Sequence, residues 1–542
     1  MAERKKVDAT ARKYKQIDTD RYRSELLAII EAIRSAPNFD DRFYHRTLRK
    51  HPRDGSGFFS KSHLVTAYRD FVAAGDLPFE KETLYRLQMK PVRTQSGIAP
   101  VAVLTKPAGC PGHCIFCPND PDMPKSYLSL EPGAQRALRY EFDPFRQTRG
   151  RLEAFDAVGH PIQKVELLIL GGTWSAYSPQ YTEWFVRRCL DALNGSDSTS
   201  LAQAQHLNER ATSRCVGLTI ETRPDWVTLE EIQRLRRLGV TRVQLGIQSL
   251  DDEILRLNRR GHDVETARRA VRMLRASGFK LHLHWMPNLL GATPESDLAD
   301  YARLWNDPDM RPDELKVYPC SLIAGTELYE IWQQGGYQPY DEGALLALIA
   351  DCKARTPRYC RLSRVVRDIP ANYVAEGNRF NNLREMAQKA LADSGRQCQC
   401  MRCREVRDRD ADPDTLRLDV QRYETGAGLE HFLSFETQEG KLAGFLRLLL
   451  PWPDSSVETP CEIKANALIR EVHVYGRALH IGDSSSGEAQ HLGLGTRLIE
   501  KARQLSQEAG FRRLSVIAAI GTRDYYRQRG FELEDLYMHA DL

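Results

Sequence analysis

With 542 residues, 42% hydrophobic and 28% charged, the chain is too long for one core and too apolar to be disordered, so two or three globular domains are expected. Apolar runs such as FLRLLL fall far short of the roughly 20 residues a membrane span needs, and the start MAERKKVDAT lacks the apolar stretch of a secretory signal. A cytoplasmic protein with no membrane partner is expected, and twelve cysteines in a reducing compartment indicate metal or redox chemistry rather than disulfides.

The net charge of +4 is unevenly placed: residues 1–50 hold 13 Lys/Arg against 8 Asp/Glu, so the basic excess is entirely N-terminal. RKKVDATARKYK supplies Arg4, Lys5, Lys6, Arg12, Lys13 and Lys15, with Tyr14 available for stacking. That is the composition of a phosphate-contacting arm, or of a solubilising tail. Leu26, Ile29, Ile30 and Ile33 then recur at helical spacing, and KSHLVTAYRDFVAAG repeats the pattern; residues 1–96 are expected to form a small basic, helical, nucleic-acid-binding region.

From residue 97 to about 370 the texture changes. IAPVAVLT, KVELLILGG, VGLTIET, VTRVQLGIQS, KLHLHWMPN and ELKVYPC are six apolar strands separated by charged amphipathic helices, which predicts parallel βα units in a full or partial barrel with its active site at the strands' C-terminal ends. The loop after the first strand, AGCPGHCIFCPND, carries Cys110, Cys114 and Cys117 to that face as CxxxCxxC. Three thiolates there can hold three irons of a [4Fe-4S] cluster, or a structural zinc if a fourth ligand such as His113 closes the site.

CxxxCxxC after the first strand of a six-fold βα array resembles the radical S-adenosylmethionine (SAM) superfamily, in which the open fourth iron chelates SAM. The resemblance implies that Gly171, Gly172 and Thr173 of LILGGT meet the methionine part of SAM. It also implies that Glu221 and Arg223 of TIETRPD and Gln248, beside Ser249, of LGIQS bind SAM from the ends of the third and fourth strands.

From residue 413 to 542 come antiparallel strand patterns (DTLRLDVQRYE, LEHFLSFETQ, KLAGFLRLLL), the strand ALIREVHVYG, and QHLGLGTRLIEKARQLSQEAG. Gln490, Gly493, Leu494 and Gly495 form a QxxGxG turn that opens a helix, where backbone N–H groups and a helix dipole worth about 0.3–1 kcal/mol favour a pyrophosphate. With RLSVIAAI and GTRDYYRQRGFE behind it, this segment resembles the acyl-CoA-binding fold of the GNAT acetyltransferases. That resemblance implies pantetheine contacts along Glu471, Val472, His473 and Val474, and a catalytic tyrosine, Tyr525 or Tyr526, near the thioester. Between the two units, residues 371–412 hold Cys398, Cys400 and Cys403 as CxCxxC, read as a zinc clip, with Cys320 the first candidate for a fourth ligand and Cys352 and Cys360 behind it.

A radical SAM barrel followed by a GNAT domain resembles the catalytic subunits of the Elongator complex, a family of tRNA uridine carboxymethyltransferases. FDPFRQTR, ETRPD, NRRGH, RDIP, REVHVYG and GTRDYYR carry that resemblance over nearly the whole chain. It implies cleavage of SAM to a 5′-deoxyadenosyl radical, addition of the acetyl-CoA methyl carbon to C5 of a wobble uridine, and thioester hydrolysis to 5-carboxymethyluridine. Lys164 matches a lysine that contacts acetyl-CoA in that family, although the start of the second strand is remote from the expected active face. The compact CxxxCxxC and the added CxCxxC suggest a bacterial or archaeal type that acts without partner subunits. Two rival readings are a protein lysine acetyltransferase with a silent barrel and a non-catalytic tRNA-binding module; the intact thiol trio opposes the first and QxxGxG the second.

Overall fold

The computed structural model describes residues 17–94, 96–380, 382–407, 413–453, 455–476 and 493–542. The basic arm (Lys5, Lys6, Arg12, Lys13, Lys15) and Gln490 lie outside them.

Four helices, Arg23–Arg34, Asp41–Lys50, Lys61–Ala73 and Lys81–Leu87, pack the predicted stripe of Leu26, Ile29, Ile30 and Ile33 against Leu64, Tyr68 and Phe71. Asp40 caps the second helix by accepting from the Phe43 N–H at 2.6 Å. This unit is tied to the next by the Arg69–Asp156 pair at 3.0 Å and by Thr94, whose hydroxyl meets His160 Nδ1 at 2.8 Å.

The barrel sheet is all parallel in the order β1 (Ala99–Leu104), β2 (Lys164–Leu170), β3 (Arg214–Thr222), β4 (Arg242–Gln248), β5 (Lys280–Trp285), β6 (Glu314–Val317) and, after the two-residue β7 (Leu322–Ile323), β8 (Arg361–Arg364). The first six are the expected strands; β8 is an addition, its RLSR too short and too polar to show a period. Among the described residues β1 and β8 each pair on one side only, so the barrel is partial. β7 pairs separately with β9 (Val374–Glu376). Outward-facing Val165, Leu167, Val243, Leu245, Leu281 and Leu283 are fully buried beneath the helices, whereas the positions alternating with them face a lumen.

The C-terminal sheet runs β10 (Arg417–Thr425), β11 (Gly428–Glu436), β12 (Leu442–Pro451), β13 (Ala467–Val474), β14 (Arg513–Val516), β16 (Met538–Asp541), β15 (Glu532–Leu533). β13 and β14 are its parallel pair; its other pairs are antiparallel. The helix Leu494–Glu508 lays Leu494, Leu498, Ile499 and Ala502 on this sheet. The sheet's other face sits on the N-terminal end of the barrel. Phe432, Phe445, Leu468 and Tyr537 there join the barrel's own apolar core, and the Tyr537 hydroxyl donates to Ser277 O at 2.7 Å.

Candidate active site and metal centre

The thiol-bearing loop begins where Gln147 clamps the edge strand. Its side-chain amide donates to Leu104 O and accepts from Leu104 N–H, both at 2.9 Å, giving an otherwise unpaired peptide a full complement of partners. Cys110, Cys114 and Cys117 follow, all partly buried. Gly112 N–H approaches Cys110 Sγ at 3.4 Å, the Thr173 hydroxyl lies 3.6 Å from the same sulfur, and the Arg260 guanidinium donates to Cys114 Sγ at 3.6 Å. Burial, with the neighbouring Cys114, pushes the Cys117 thiol up to about 12. A metal or cluster must therefore displace that proton. Three sulfurs, two of them with N–H donors aimed at them, on a loop without a fourth cysteine, fit a [4Fe-4S] cluster with one iron left open.

The predicted SAM-side residues surround this loop. Gly171 has φ +144°, and a Cβ there would overlap the Thr105 hydroxyl, so only glycine fits. Its N–H donates to Glu221 Oε2 at 3.4 Å, an oxygen that also accepts from the Tyr127 hydroxyl at 3.0 Å. Arg223 is held by Asp225 at 2.9 and 3.1 Å; its Nη1 is buried without a partner and rests where a Cβ on Gly112 would otherwise sit. Gln248 adopts φ +68° and leaves its Oε1 buried and unpartnered. Buried polar atoms left open around one space are what a polar ligand satisfies. Two contributors were not foreseen, Tyr127 and Arg260. The signal for Arg260 stood in NRRGH, but nothing local says that this arginine reaches back to Gly246 O (2.6 Å) and to Cys114.

In the C-terminal domain, β13 pairs with β14 only over Ala467–Ile469. Beyond that, among the described residues, the strands splay and β14 no longer pairs with β13, the kind of strand edge along which an extended ligand can lie. Gly493 caps the following helix at φ +68°. Of the two tyrosines, Tyr526 is core, edge-on to Phe531 at 5.7 Å. Tyr525 is the partly exposed one: its hydroxyl occupies the place a Cβ on Gly495 would take, and the Arg529 guanidinium lies 3.6 Å above its ring. Along β13, Val472 and Val474 turn into the domain core, while Glu471 and His473 face the barrel. Lys164, at the barrel's N-terminal rim, is close enough to His473 to contribute, after burial, Lys280 and Arg361, to holding that imidazole down at about 3. The lysine whose position looked remote therefore borders β13.

Cys398, Cys400 and Cys403 converge with all three sulfurs within 4.8 Å of one another. Hydrogen bonds from Cys398 and Cys403 hold the Cys400 thiol well below the ordinary range. Among the described residues no fourth such group joins them at that distance. Cys320 does not. It sits with Ile115, Leu289, Leu322 and Tyr337 beyond the C-terminal end of β6, whereas the trio lies behind the start of β8, where Met401 N–H donates to Cys360 O at 3.0 Å. Parallel strands place those two points at opposite ends of the barrel. The trio suits a tetrahedral zinc with one position open to another donor.

One cavity of about 900 Å³ joins much of this set: Cys110, Cys114, Cys117, Gly172, Thr173, Glu221, Arg223 and Gln248 line one end, Glu471 and His473 the other. Among the described residues no helix is long and apolar enough to cross a membrane.

Residues 105–302 match the family model of the radical SAM superfamily, and residues 312–393 that of the radical SAM C-terminal domain. A tRNA uridine(34) acetyltransferase of Methanocaldococcus infernus is 42% identical over 84% of this chain and 88% of its own. Elongator complex protein 3 of Homo sapiens is 37% identical over 86% and 88% respectively. The structure of the archaeal Methanocaldococcus infernus Elp3 with an N-terminal deletion (1–46) superposes with a TM-score of 0.72 at 38% identity, covering 82% of this chain and 99% of that one. At 37–42% identity over more than four fifths of its length, this chain belongs to the family of tRNA uridine(34) acetyltransferases and Elongator complex protein 3.

Proposed function

We propose that this enzyme modifies the wobble uridine of tRNA, joining the acetyl methyl carbon of acetyl-CoA to C5 to leave 5-carboxymethyluridine after thioester hydrolysis. The observation that carries the reading is the single cavity shared by the thiol loop and β13. When bound, a [4Fe-4S] cluster and SAM supply the hydrogen-abstracting radical that an unactivated methyl group requires. The chain's own residues then have separable tasks. Cys110, Cys114 and Cys117 hold the cluster. Gly171, Gly172 and Thr173 bring backbone close to the methionine portion of SAM, and Glu221, Arg223 and Gln248 offer it hydrogen bonds. Glu471–Val474 present strand-edge amides to the pantetheine, Gly493–Gly495 with Gln490 receive the pyrophosphate, Lys164 borders the same groove, and Tyr525 rather than Tyr526 stands beside the thioester. Zinc on Cys398, Cys400 and Cys403 clips the linker. The basic arm contacts tRNA phosphates, and no Elongator partner subunit is required.

The test is anaerobic reconstitution with iron and sulfide, reduction with dithionite to supply the electron that SAM cleavage consumes, and incubation with SAM, acetyl-CoA and transcribed tRNA. Nucleoside mass spectrometry should then detect 5-carboxymethyluridine only when all three are present. A preparation that cleaves SAM and binds acetyl-CoA yet leaves uridine unmodified would overturn the reading.

A further inference from the structure

Parallel barrels normally fill their lumen with branched apolar side chains. Here the inward positions are polar at successive heights. Nearest the C-terminal domain lie Glu166, Arg242, Lys280 and Glu314; above them come Gln244 and Lys316; the thiol loop closes the far end. Arg242 bridges Glu166 and Glu314, the latter at 3.1 Å, and Lys280 bridges Glu314 at 2.8 Å and Glu471 of β13. Burying such a set is less favourable than filling the space with apolar side chains, so its retention points to what passes through it. Gln244 Nε2 and His473 Nε2 are among the buried nitrogens facing this lumen without a hydrogen-bond partner, and Gln244 is only 1% exposed. Unsatisfied groups of this kind call for a ligand.

The two ends of the lumen cannot be brought together by a swing of the domains. Asp313 at the foot of the barrel accepts from Arg470 of β13 at 2.6 and 2.9 Å and lies 3.3 Å from Arg447 of β12, with all three side chains at most 1% exposed. β13 itself forms the junction: its splayed edge is the acyl-CoA groove, and its Glu471 and His473 face the lumen. From Glu166 to Gly172 the way is six residues of strand, roughly 20 Å at about 3.3 Å each, a distance suited to an extended thiol-terminated arm rather than to a compact group.

We propose that the barrel lumen is the passage by which the thioester arm held on β13 reaches the thiol loop, entering past His473 and Lys280 and presenting its carbonyl to Lys316 and Gln244. The proposal rests on the acetyl-CoA reading above. Lys316 donates to Gln244 Oε1 and stands 3.9 Å from Glu221. Burial pulls its amine down to about 8; in either protonation state it carries an N–H for a thioester oxygen.

Ala102 of β1 lines the cavity and pairs in register with Leu168, halfway along. Ala102→Trp should block the passage, lowering 5-carboxymethyluridine formation by roughly 100-fold, the cost of a misplaced reacting group. SAM cleavage without tRNA and calorimetric acetyl-CoA affinity should stay at the wild-type values, and Ala102→Ser should behave as wild type. Product formed by the folded Trp variant near the wild-type rate overturns the proposal. Failure of the wild-type protein to bind acetyl-CoA would instead overturn the reading beneath it. Where the Trp variant does not fold, Ser363→Cys serves. Bromoacetyl-CoA should alkylate the thiol introduced at position 363, mapped by peptide mass spectrometry and blocked by excess CoA. Labelling confined to the C-terminal domain refutes the passage.

Discussion

Replacing Asp313 with asparagine tests whether the two catalytic units are locked together. The carboxylate sits at the start of β6, fully buried, and accepts from both Arg470 nitrogens and from the Leu281 N–H at 2.8 Å. Asn preserves the shape and removes the charge, leaving Arg470 and Arg447 with only Glu430 and Glu471 to balance them. Breaking one partner out of a buried ion set costs about 3–5 kcal/mol. Because both arginines belong to the C-terminal sheet and the aspartate to the barrel, that cost falls on docking. At roughly 2 °C per kcal/mol for a unit of this size, the midpoint of thermal unfolding should fall by about 6–10 °C, and the C-terminal domain should melt before the barrel. The double variant Asp313→Asn with Arg470→Met should recover much of the loss, since the orphaned cation goes with it. Burial alone would raise the Asp313 pKa, but Arg470, Arg447 and Arg275 outweigh it and hold it below the ordinary value. The contribution is therefore fully present above the unfolded carboxylate value of about 3.9 and disappears as pH falls through the lower folded value. A variant that melts in one transition at the wild-type midpoint would refute the reasoning.

Cys110→Ala should abolish the iron-dependent absorbance and SAM cleavage while leaving the melting temperature unchanged; full cleavage would contradict the cluster assignment. Removing zinc with a chelator, or substituting Cys400→Ser, should release one metal equivalent by elemental analysis and expose the 371–412 segment to protease. Tyr525→Phe should lower product formation without altering stability, whereas Tyr526→Ala should cost about 3–5 kcal/mol as a core deletion; the reverse pattern would exchange their roles. Deleting residues 1–20 should weaken tRNA binding and flatten the dependence of log affinity on log salt by about 0.7–0.9 for each lost phosphate contact, and an unchanged slope would make the arm a solubilising tail.

What the sequence disclosed and what it withheld divide along the range of the interactions. Six of the seven barrel strands were legible because Val, Leu and Ile fill their outward positions, and the cysteine loop because thiols at that spacing are rare outside metal chemistry. β8 was not, since RLSR is paired on one side only and draws its register from Asp313 O, which accepts the Arg361 N–H at 3.0 Å. Cys320 was misplaced as a zinc ligand because nearness in composition carries no information about which end of a parallel sheet a residue reaches. Lys164 looked remote for the complementary reason: the remote end of the barrel is where the second domain docks.

The motifs that marked the chain most specifically prove to be docking contacts as much as catalytic ones. In REVHVYG, Arg470 enters Asp313 and Glu471 enters Lys280. In GTRDYYR, Arg523 and Arg527 both grip Glu209, at 3.0 and 2.6 Å, and a Cβ on Gly521 would overlap Arg214 and the Cys215 backbone at the start of β3. An enzyme that needed only two independent active sites could tether them by a loose linker and leave such residues free. Charges buried at an interface stabilise it little compared with apolar packing, but they punish misalignment, because each one left unpaired costs several kcal/mol. A junction built this way fixes the register of β13 over the barrel mouth. That register is what a thioester must have if it is to meet the thiol loop from inside the barrel rather than across open solvent.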